Sequence, residues 1–444
     1  MHVFVTGGTG HSGSHIIPEL VAAGHEVTGL ARSDTAARVL SALGAKVRRG
    51  DLQDLDGLKE AAADSDGVIH VAHRQDLLPS GGIDAVAAAE LPIMLAYGEA
   101  LAGTGKPLVA AGSIGSPGNL GRPATEEDPA LPSGDEYRGT LRVRNVVETA
   151  VIGLAERGVR SSVVRIANIA HGTTDRAGFL PVLIALAKEK GVVGYPGDGA
   201  NLWNAVHVRD VASVFRLALE KGQAGRYWHA VGEGGIPLRE IAEAIGSRLD
   251  LPVVSVPADV LMVPGYFGFL ANIVTQSYPA SNLITRRTLG WEPAQPSLFA
   301  DLDNGHYFAA VTSEDNNRVA TLQEFVTRMG GGDLTGALEM VDEEAVWREA
   351  ETLPWGGEWR GPDGFARLTR EIDTLVELSV RDSDIVEAGE AVEMRLDAVY
   401  TSRKSGRRLP MEVVEHYTVR EGKVHGANAF YKDTQAVNDL VRYG

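Results

Sequence analysis

The sequence contains no cysteine, which excludes disulfides, thiolate metal sites and cysteine nucleophiles without fixing the compartment. It also lacks any apolar run near the ~20 residues that a membrane span needs. The start, MHVFVTGG, enters a β-type run and a glycine turn at once, so we expect no secretory signal. Positive charge is in deficit, and the net charge of −17 argues against nonspecific nucleic-acid binding. We therefore expect a cytoplasmic protein that binds neither nucleic acid nor membranes.

The first motif of the sequence is a glycine-rich loop. The β-forming residues 3–5 lead directly into Gly7, Gly10 and Gly13, and a helical pattern follows. Glycines let the backbone turn sharply and let a phosphate approach uncovered N–H groups, while the helix N-terminus favours the anion. The G-x-x-G-x-x-G spacing differs from the G-x-G-x-x-G of the commonest dehydrogenases. In this context of strand, loop and helix, the pattern predicts a dinucleotide site.

The residue type at the end of the second predicted strand indicates whether the cofactor is NAD(H) or NADP(H). An acidic residue there would bind a free ribose 2′-hydroxyl, whereas an arginine suits a 2′-phosphate. Arg32 occupies this position, with Asp34 two residues further on. We therefore predict NADP(H) rather than NAD(H).

Over its first two thirds the chain alternates strand and helix patterns, which predicts an α/β Rossmann domain with a doubly wound parallel sheet. With 444 residues the chain is long enough for two or three domains. Residues 119–134 are predicted to form a long loop, and residues 135–157 one long helix. The apolar and aromatic residues 259–273 are predicted to form a helix on the substrate side.

These features resemble the extended short-chain dehydrogenase/reductases, the superfamily that includes nucleotide-sugar epimerases and dehydratases. The matching segments, in family order, are TGGTGHSG, Gly50-Asp51-Leu52, His70-Val71-Ala72, Gly112-Ser113, RIANIAHG, Gly197-Asp198-Gly199 and AVHVRDVA. The resemblance implies that the glycines hold the pyrophosphate and that Ser113 lies beside the substrate carbonyl. The predicted cofactor-binding residues are Gly7, Thr9, Gly10, His11, Ser12, Gly13, Arg32, Asp51, Leu52, Ala72 and His73.

The resemblance is weakest at the catalytic couple. The superfamily uses Tyr-x-x-x-Lys on one helix, where the lysine lowers the pKa of the tyrosine for proton transfer. Here the position four after Tyr137 is Leu141, and Arg142 lies one further. In one interpretation Tyr137 still acts as the acid, aided by Arg142 or Arg144. In the other, the couple has been lost, as in atypical members of the superfamily.

Two histidines are further candidates for proton transfer. His73 follows a sheet strand at its carboxyl end, where ligands bind in this fold. His171 lies in the RIANIAHG segment, while His207 matches a structural position of AVHVRDVA.

The last third of the chain has a different pattern. We place the first domain at residues 1–311, a polar linker at 312–317 and a second domain at 318–444, with helices first and antiparallel hairpins after them. The phrases VDEEAVWRE, GGEWRGPDGF and EHYTVREGKVHGANAFY resemble SnoaL-like, ketosteroid-isomerase-like α+β domains, which fold as a cone. Period-two alternation makes His416 and Asn428 the predicted pair for proton transfer and enolate stabilisation, with Glu349 as a possible base.

Together these features predict an NADP(H)-dependent ketoreductase or epimerase/dehydratase acting on a carbonyl small molecule, by family analogy a polyketide or quinone. The SnoaL-like domain would be an isomerase or cyclase domain. Ser113, Tyr137, Arg142, His73, His416, Asn428 and Glu349 are the predicted catalytic residues. We expect a homodimer without a metal site. The alternative is an NADP(H)-binding sensor or scaffold whose cone domain serves dimerisation or is alone catalytic.

Overall fold

The computed structural model describes residues 1–74, 77–257, 267, 271–308, 313–388 and 391–443. The chain forms two compact units, Met1–Phe308 and Ala309–Gly444. Part of the predicted linker, residue 312, lies outside the described residues. The rest of it belongs to a helix that begins at Ser313.

The first unit is built on a seven-stranded parallel sheet. Its strands and those of two smaller sheets are β1 (His2–Thr6), β2 (Glu26–Ala31), β3 (Lys46–Arg49), β4 (Gly67–His70), β5 (Pro107–Ser113), β6 (Arg160–Ile166), β7 (Ile169–His171), β8 (Val193–Pro196), β9 (Leu202–His207), β10 (Arg226–Ala230), β11 (Glu233–Pro237) and β12 (Val253–Val256). The large sheet has the order β3-β2-β1-β4-β5-β6-β10. The direction of winding reverses between β1 and β4, which is where ligands bind in such sheets.

Helices cover both faces of this sheet. They are α1 (Gly13–Ala22), α2 (Asp34–Ala42), α3 (Leu55–Ala63), α4 (Leu78–Leu101), α5 (Asn145–Gly153), α6 (Phe179–Lys190), α7 (Val208–Lys221), α8 (Leu238–Leu249), α9 (Ala271–Val274), α10 (Leu283–Leu289) and α11 (Leu298–Asp303). Strand β1 has apolar side chains on both of its faces, as a doubly wound sheet requires. Val3 and Val5 belong to the apolar cluster on one face, and Phe4 belongs to the cluster on the other. The predicted Rossmann fold is confirmed.

The predicted long helix at residues 135–157 is wrong. The structure has 3-10 turns at Asp135–Tyr137, Leu141–Arg144 and Leu154–Arg157, and only Asn145–Gly153 is α-helical. Gly139 takes a φ of +73° between the first two turns, a conformation that a right-handed helix excludes. The helical periodicity of this stretch therefore does not extend as far back as Tyr137.

The second unit is an α+β domain with a six-stranded sheet. Its strands are β13 (Val341–Glu349), β14 (Gly357–Arg360), β15 (Val376–Ala388), β16 (Ala391–Ser402), β17 (Arg408–Arg420) and β18 (Lys423–Tyr431). Its helices are α12 (Ser313–Gly330), α13 (Leu334–Glu339), α14 (Gly361–Leu375) and α15 (Thr434–Tyr443). The sheet order is β14-β13-β18-β17-β16-β15. Helix α15 was not predicted, although Val437 and Leu440 give it one apolar face in the core.

One face of this sheet, the inner face, packs on the helices. Met411, Val413, Tyr417 and Val419 alternate along β17 and belong to the apolar core of the unit. Residues 259–266 and 268–270 of the predicted substrate-side helix lie outside the described residues, as does the predicted turn at residues 389–390. Within the described part of the chain, no helix is both long and apolar enough to cross a membrane.

Candidate functional site

The glycine loop is packed so closely that side chains cannot replace its hydrogens. Gly7 has a φ of +79°, and a Cβ placed on it would lie 2.5 Å from the backbone nitrogen of Ala72. A Cβ on Gly13 would lie 2.0 Å from the carbonyl oxygen of Gly7. The loop therefore packs directly against the backbone that follows β4 and leads into the N-terminus of α1. This is a cradle for a phosphate group.

A cavity of about 720 Å³ opens at the carboxyl edge of the sheet, above this loop. All eleven residues predicted to bind the cofactor line it. The structure brings them together because the loops after β1, β2, β3 and β4 end side by side on one edge of a parallel sheet. The fit of a dinucleotide rests on the bare glycine cradle at the centre of this cavity.

The opposite wall of the cavity is formed by residues that were not assigned a role from the sequence. Asn168, Ala170 and residues 174–179 come from the segments around β7 and before α6. His11 ties the two walls together, because its Nε2 lies 2.7 Å from the carbonyl oxygen of Ala170 and its Nδ1 lies 2.7 Å from the hydroxyl of Thr174. The RIANIAHG match was the available signal for this wall, but its spacing alone does not tell which residues face the cavity.

Two arginines lie near the end of β2, and they differ in whether they form an ion pair. Arg49, whose backbone pairs with Ala31, forms an ion pair with Asp34. Arg32 lines the cavity and is exposed, and among the described residues no carboxylate forms an ion pair with it. A free guanidinium at this end of the cavity is suited to an anionic group.

Ser113 ends β5 and is held by a buried ion-pair network. Glu148 accepts a hydrogen bond from the backbone N–H of Ser113 at 2.9 Å and pairs with Nε of the fully buried Arg165 at 3.0 Å. The Ser113 hydroxyl accepts the N–H of Gly115 at 3.2 Å, and the residue is exposed. A Cβ on Gly115 would lie 3.6 Å from both the Ser113 hydroxyl and the ring of Tyr278, a neighbour that the sequence did not suggest.

Tyr137 and Arg142 are brought together, but not in the predicted arrangement. The guanidinium carbon of Arg142 lies 3.6 Å from the centroid of the Tyr137 ring, so the cation stacks on the ring face. Arg144 instead makes a bidentate ion pair with the buried Glu90. Neither Tyr137 nor Arg142 is among the residues that line the cavity, and the same is true of Ser113. The helix predicted to carry both residues is absent here, because Tyr137 and Arg142 belong to separate 3-10 turns.

His73 lies in the wall of the cavity, and among the described residues its buried Nδ1 has no hydrogen-bond partner. Burial, followed by the nearby Arg144, lowers the pKa of His73 to about 4, so the ring is neutral near pH 7. His171 is fully buried and bonds Asp301 at 2.8 Å. His207 caps the N-terminus of α7 by accepting the N–H of Arg209. The geometry of these two is that of scaffold residues.

In the second unit the predicted residues lie on opposite faces of the sheet. His416 and Asn428 are cross-strand neighbours, but they lie on the face away from the core. The side chain of His416 is 43% exposed, beside the exposed ring of Phe430. Their assignment to the cone pocket is wrong, because the polar face of β17 points outward. Glu349 ends β13 on the inner face, where the hydroxyl of Tyr431 donates to it at 2.8 Å.

No group of three or more potential metal ligands lies close enough to hold an ion within the described ranges.

Both units match known families. The model of the NAD dependent epimerase/dehydratase family matches residues 3–230, and that of a SnoaL-like domain matches residues 322–426.

Individual relatives agree with the first of these matches. An uncharacterized protein of Schizosaccharomyces pombe is 41% identical over 312 residues, which are 69% of this chain and 100% of the relative. A Stigmatella aurantiaca protein named 4-hydroxy-2-methyl-3-oxo-4-farnesyl-3,4-dihydroquinoline-1-oxide ketoreductase is 30% identical over 253 residues, or 54% of this chain and 70% of that protein. A dTDP-glucose 4,6-dehydratase of Streptomyces venezuelae, solved with NAD bound, has a similar fold, with a TM-score of 0.55 and 20% identity over 69% of this chain and 96% of that one. The chain therefore belongs to the NAD dependent epimerase/dehydratase family of NAD(P)-dependent oxidoreductase-like enzymes and carries a SnoaL-like domain at its C-terminal end.

Proposed function

We propose that the N-terminal unit is an NADP(H)-dependent oxidoreductase, of the ketoreductase or epimerase/dehydratase type, that acts on the carbonyl group of a small molecule. The observation that carries this proposal is the single cavity that combines the glycine cradle, the unpaired Arg32 and His73. The relative from Stigmatella, named as a ketoreductase for an oxo-dihydroquinoline, supports a ketone substrate, and by family analogy we propose a polyketide or quinone.

The preference for NADP(H) rests on the charges at the ribose end of the cavity. Asp34, the carboxylate that could bind a free 2′-hydroxyl, is already paired with Arg49. Arg32 is left to form charge-assisted hydrogen bonds with a 2′-phosphate. Gly7, Gly10 and Gly13 would hold the pyrophosphate, and Asp51 and Leu52 the adenine side.

When bound, NADPH supplies a hydride for the carbonyl carbon. The protein groups have to hold the substrate oxygen and deliver a proton to it. We assign the exposed hydroxyl of Ser113 to donate a hydrogen bond to that oxygen, and the Glu148 and Arg165 network supports this assignment because it holds the backbone of Ser113 in position. We assign the proton relay to His73, which lies on the cavity wall, is neutral near pH 7 and has no partner at Nδ1 among the described residues. We propose that these residues, rather than Tyr137 with Arg142, carry the chemistry.

Stopped-flow measurement of NADPH absorbance with a panel of quinones and ketones tests the reaction. We expect NADPH oxidation with at least one compound, and we expect His73→Gln to slow it far more than Tyr137→Phe. Tight NADPH binding with no oxidation by any member of the panel would instead identify the protein as a sensor or scaffold. Equal rates in the two variants would contradict the role of His73, and slower oxidation by Tyr137→Phe than by His73→Gln would return the acid role to Tyr137.

For the SnoaL-like unit we propose a role as an isomerase or cyclase domain. Glu349 supports it, because this carboxyl lies on the inner face of the sheet and is hydrogen-bonded to a phenol rather than to a cation. Burial raises the pKa of Glu349 to about 7, which is the range of a proton-transfer group at neutral pH.

A further inference from the structure

One arginine of the cofactor cavity has no role in the proposed reaction. Arg176 belongs to residues 174–179, which form part of the wall opposite the glycine loop. The residue is exposed, and among the described residues no carboxylate forms an ion pair with it. Arg32, at the ribose end of the same cavity, is assigned to the 2′-phosphate. The guanidinium of Arg176 is therefore available for another anionic group.

The wall that carries Arg176 contacts the glycine loop directly. His11 of the loop lies with its Nδ1 2.7 Å from the hydroxyl of Thr174 and with its Nε2 2.7 Å from the carbonyl oxygen of Ala170. Two residues of extended chain span at most roughly 7 Å. The backbone of Arg176 therefore lies within that distance of Thr174, and its long side chain extends from a wall that already contacts the loop.

The hydrogens of this contact follow from the chemistry of the partners. The carbonyl oxygen of Ala170 can only accept, so Nε2 of His11 donates to it. In the neutral ring Nδ1 then accepts the hydroxyl hydrogen of Thr174, whose oxygen accepts the N–H of His15 Nε2 at 3.1 Å. Burial, followed by the nearby His11, lowers the pKa of His15 to about 4, so this ring is neutral near pH 7. An unbroken chain of hydrogen bonds thus holds the wall against the loop.

The neighbouring carboxyl group does not compensate the charge of Arg176. Oδ1 of Asp175 accepts the N–H of Gly178 at 2.9 Å, and Oδ2 accepts the hydroxyl of Tyr307 at 3.0 Å. Asp175 is 9% exposed, and burial raises its pKa. This carboxyl therefore holds the turn that carries Arg176 and leaves the guanidinium as a positive charge in the wall.

The pyrophosphate of a dinucleotide needs more positive charge than the glycine loop supplies. It carries about two negative charges, whereas a helix N-terminus contributes about half a positive charge. No lysine or arginine precedes Arg32 in the sequence, so neither the loop nor α1 contains one. Arginine binds phosphate oxygens through two parallel hydrogen bonds. An arginine on the facing wall meets this need.

We propose that Arg176 binds the pyrophosphate of the dinucleotide from the wall opposite the glycine loop, and that His11 and Thr174 hold this wall in place. The pyrophosphate is then bound on two sides, by the loop and by the guanidinium. Because NADPH and NADH share the pyrophosphate, Arg176 contributes to the affinity for both and not to the choice between them. The inference rests on the proposed dinucleotide site and is independent of the reaction carried out there.

Isothermal titration calorimetry of the full-length protein with ADP-ribose, NADH and NADPH tests the proposal. ADP-ribose contains the pyrophosphate but no nicotinamide, so its binding does not depend on hydride transfer. We expect Arg176→Gln to lose at least about tenfold in affinity for all three ligands, the order of one hydrogen bond between charged groups. Arg32→Glu is expected to lose affinity for NADPH alone.

Arg209 provides the matched control. It is exposed and its charge lies near the ring of His15, but it is not among the residues that line the cavity. Arg209→Gln removes a positive charge from the same region, and we expect it to leave the three affinities unchanged. Both variants are expected to keep the thermal transition of the unmodified protein, because both side chains are exposed. Equal losses of affinity in the two variants would show a general electrostatic effect and overturn the contact.

The same titrations separate the cofactor from an anionic substrate. Unchanged affinities of Arg176→Gln for ADP-ribose and NADH overturn the proposal, and a raised KM for a ketone that carries a carboxylate would then assign Arg176 to the substrate. Failure of the unmodified protein to bind any of the three ligands overturns the dinucleotide site together with this inference. Binding of NADPH without its oxidation by any ketone or quinone overturns the proposed reaction and leaves the role of Arg176 standing.

A double-variant cycle tests the role of His11 as a positioning residue. His11→Ala removes both contacts with the opposite wall. If these contacts hold Arg176 in place, the loss of ADP-ribose affinity in the protein with both substitutions is at least about twofold smaller than the product of the two single losses. Single losses that simply multiply would overturn the positioning role.

Arg176→Lys separates charge from geometry at this position. Lysine keeps the positive charge but lacks the planar fork of the guanidinium. We expect the ADP-ribose affinity of Arg176→Lys to lie between those of Arg176→Gln and the unmodified protein. An affinity no higher than that of Arg176→Gln would contradict a role that rests on charge.

Discussion

Substitution of Gly7 by alanine tests how closely the cofactor loop lies on the sheet. Two costs add in the Gly7→Ala protein. A left-handed backbone conformation costs a non-glycine residue about 1–2 kcal/mol, and Gly7 has a φ of +79°. The added Cβ, 2.5 Å from the nitrogen of Ala72, forces a shift of the kind that costs about 1–3 kcal/mol in packed interiors. We expect a total loss of about 2–5 kcal/mol.

Gly24 provides the matched control. It has a φ of +83°, but a Cβ built on it meets nothing within 4 Å. Gly24→Ala therefore carries only the backbone cost of about 1–2 kcal/mol, and the difference between the two variants isolates the close approach of the loop to β4. Urea denaturation followed by tryptophan fluorescence gives the two stabilities, and fluorescence titration gives the NADPH affinities. A Gly7→Ala protein as stable as Gly24→Ala, with unchanged NADPH affinity, would refute the reasoning.

The remaining predictions concern charge. Arg32→Glu is expected to weaken NADPH binding by at least about tenfold, with little change in NADH binding, because one charged hydrogen bond contributes roughly 1.5–3 kcal/mol. Arg38→Glu, on the exposed side of α2, is the control. Equal losses of affinity for both dinucleotides would contradict the choice of cofactor. Glu148→Gln leaves Arg165 buried without its carboxylate, so we expect a loss of about 3–5 kcal/mol in urea denaturation, and a change below about 1 kcal/mol would contradict the structural role of this pair. Burial lowers the pKa of His70 to about 3 and that of His229 to about 4, so the unfolded chain binds protons below pH 6.5 before the folded unit does. The stability of the folded unit is therefore expected to fall as the pH drops from 6.5 towards 4. A melting temperature that stays constant over that interval would refute this.

The residues of the candidate cofactor site could be predicted from the sequence. The G-x-x-G-x-x-G loop, Arg32 and Asp51 each follow a strand, and in a parallel sheet all such positions meet at one edge. Local order along the chain was therefore enough to collect eleven residues around one cavity. Local order along the chain could not identify the opposite wall of the cavity. Asn168 and Asp175 reach that wall because of the path of the chain beyond β6, which the local pattern does not determine.

The positions of the candidate catalytic residues depend on tertiary structure in both units. Tyr137 could be assigned to a long helix from sequence, but the positive φ of Gly139 and two 3-10 turns decide that its ring stacks with Arg142 instead. In the cone, alternation divided β17 into two faces without telling which face the helices cover. Only packing decides that His416 and Asn428 lie on the outward face of the sheet. Strand patterns are local, whereas burial and register depend on contacts between residues far apart in the chain.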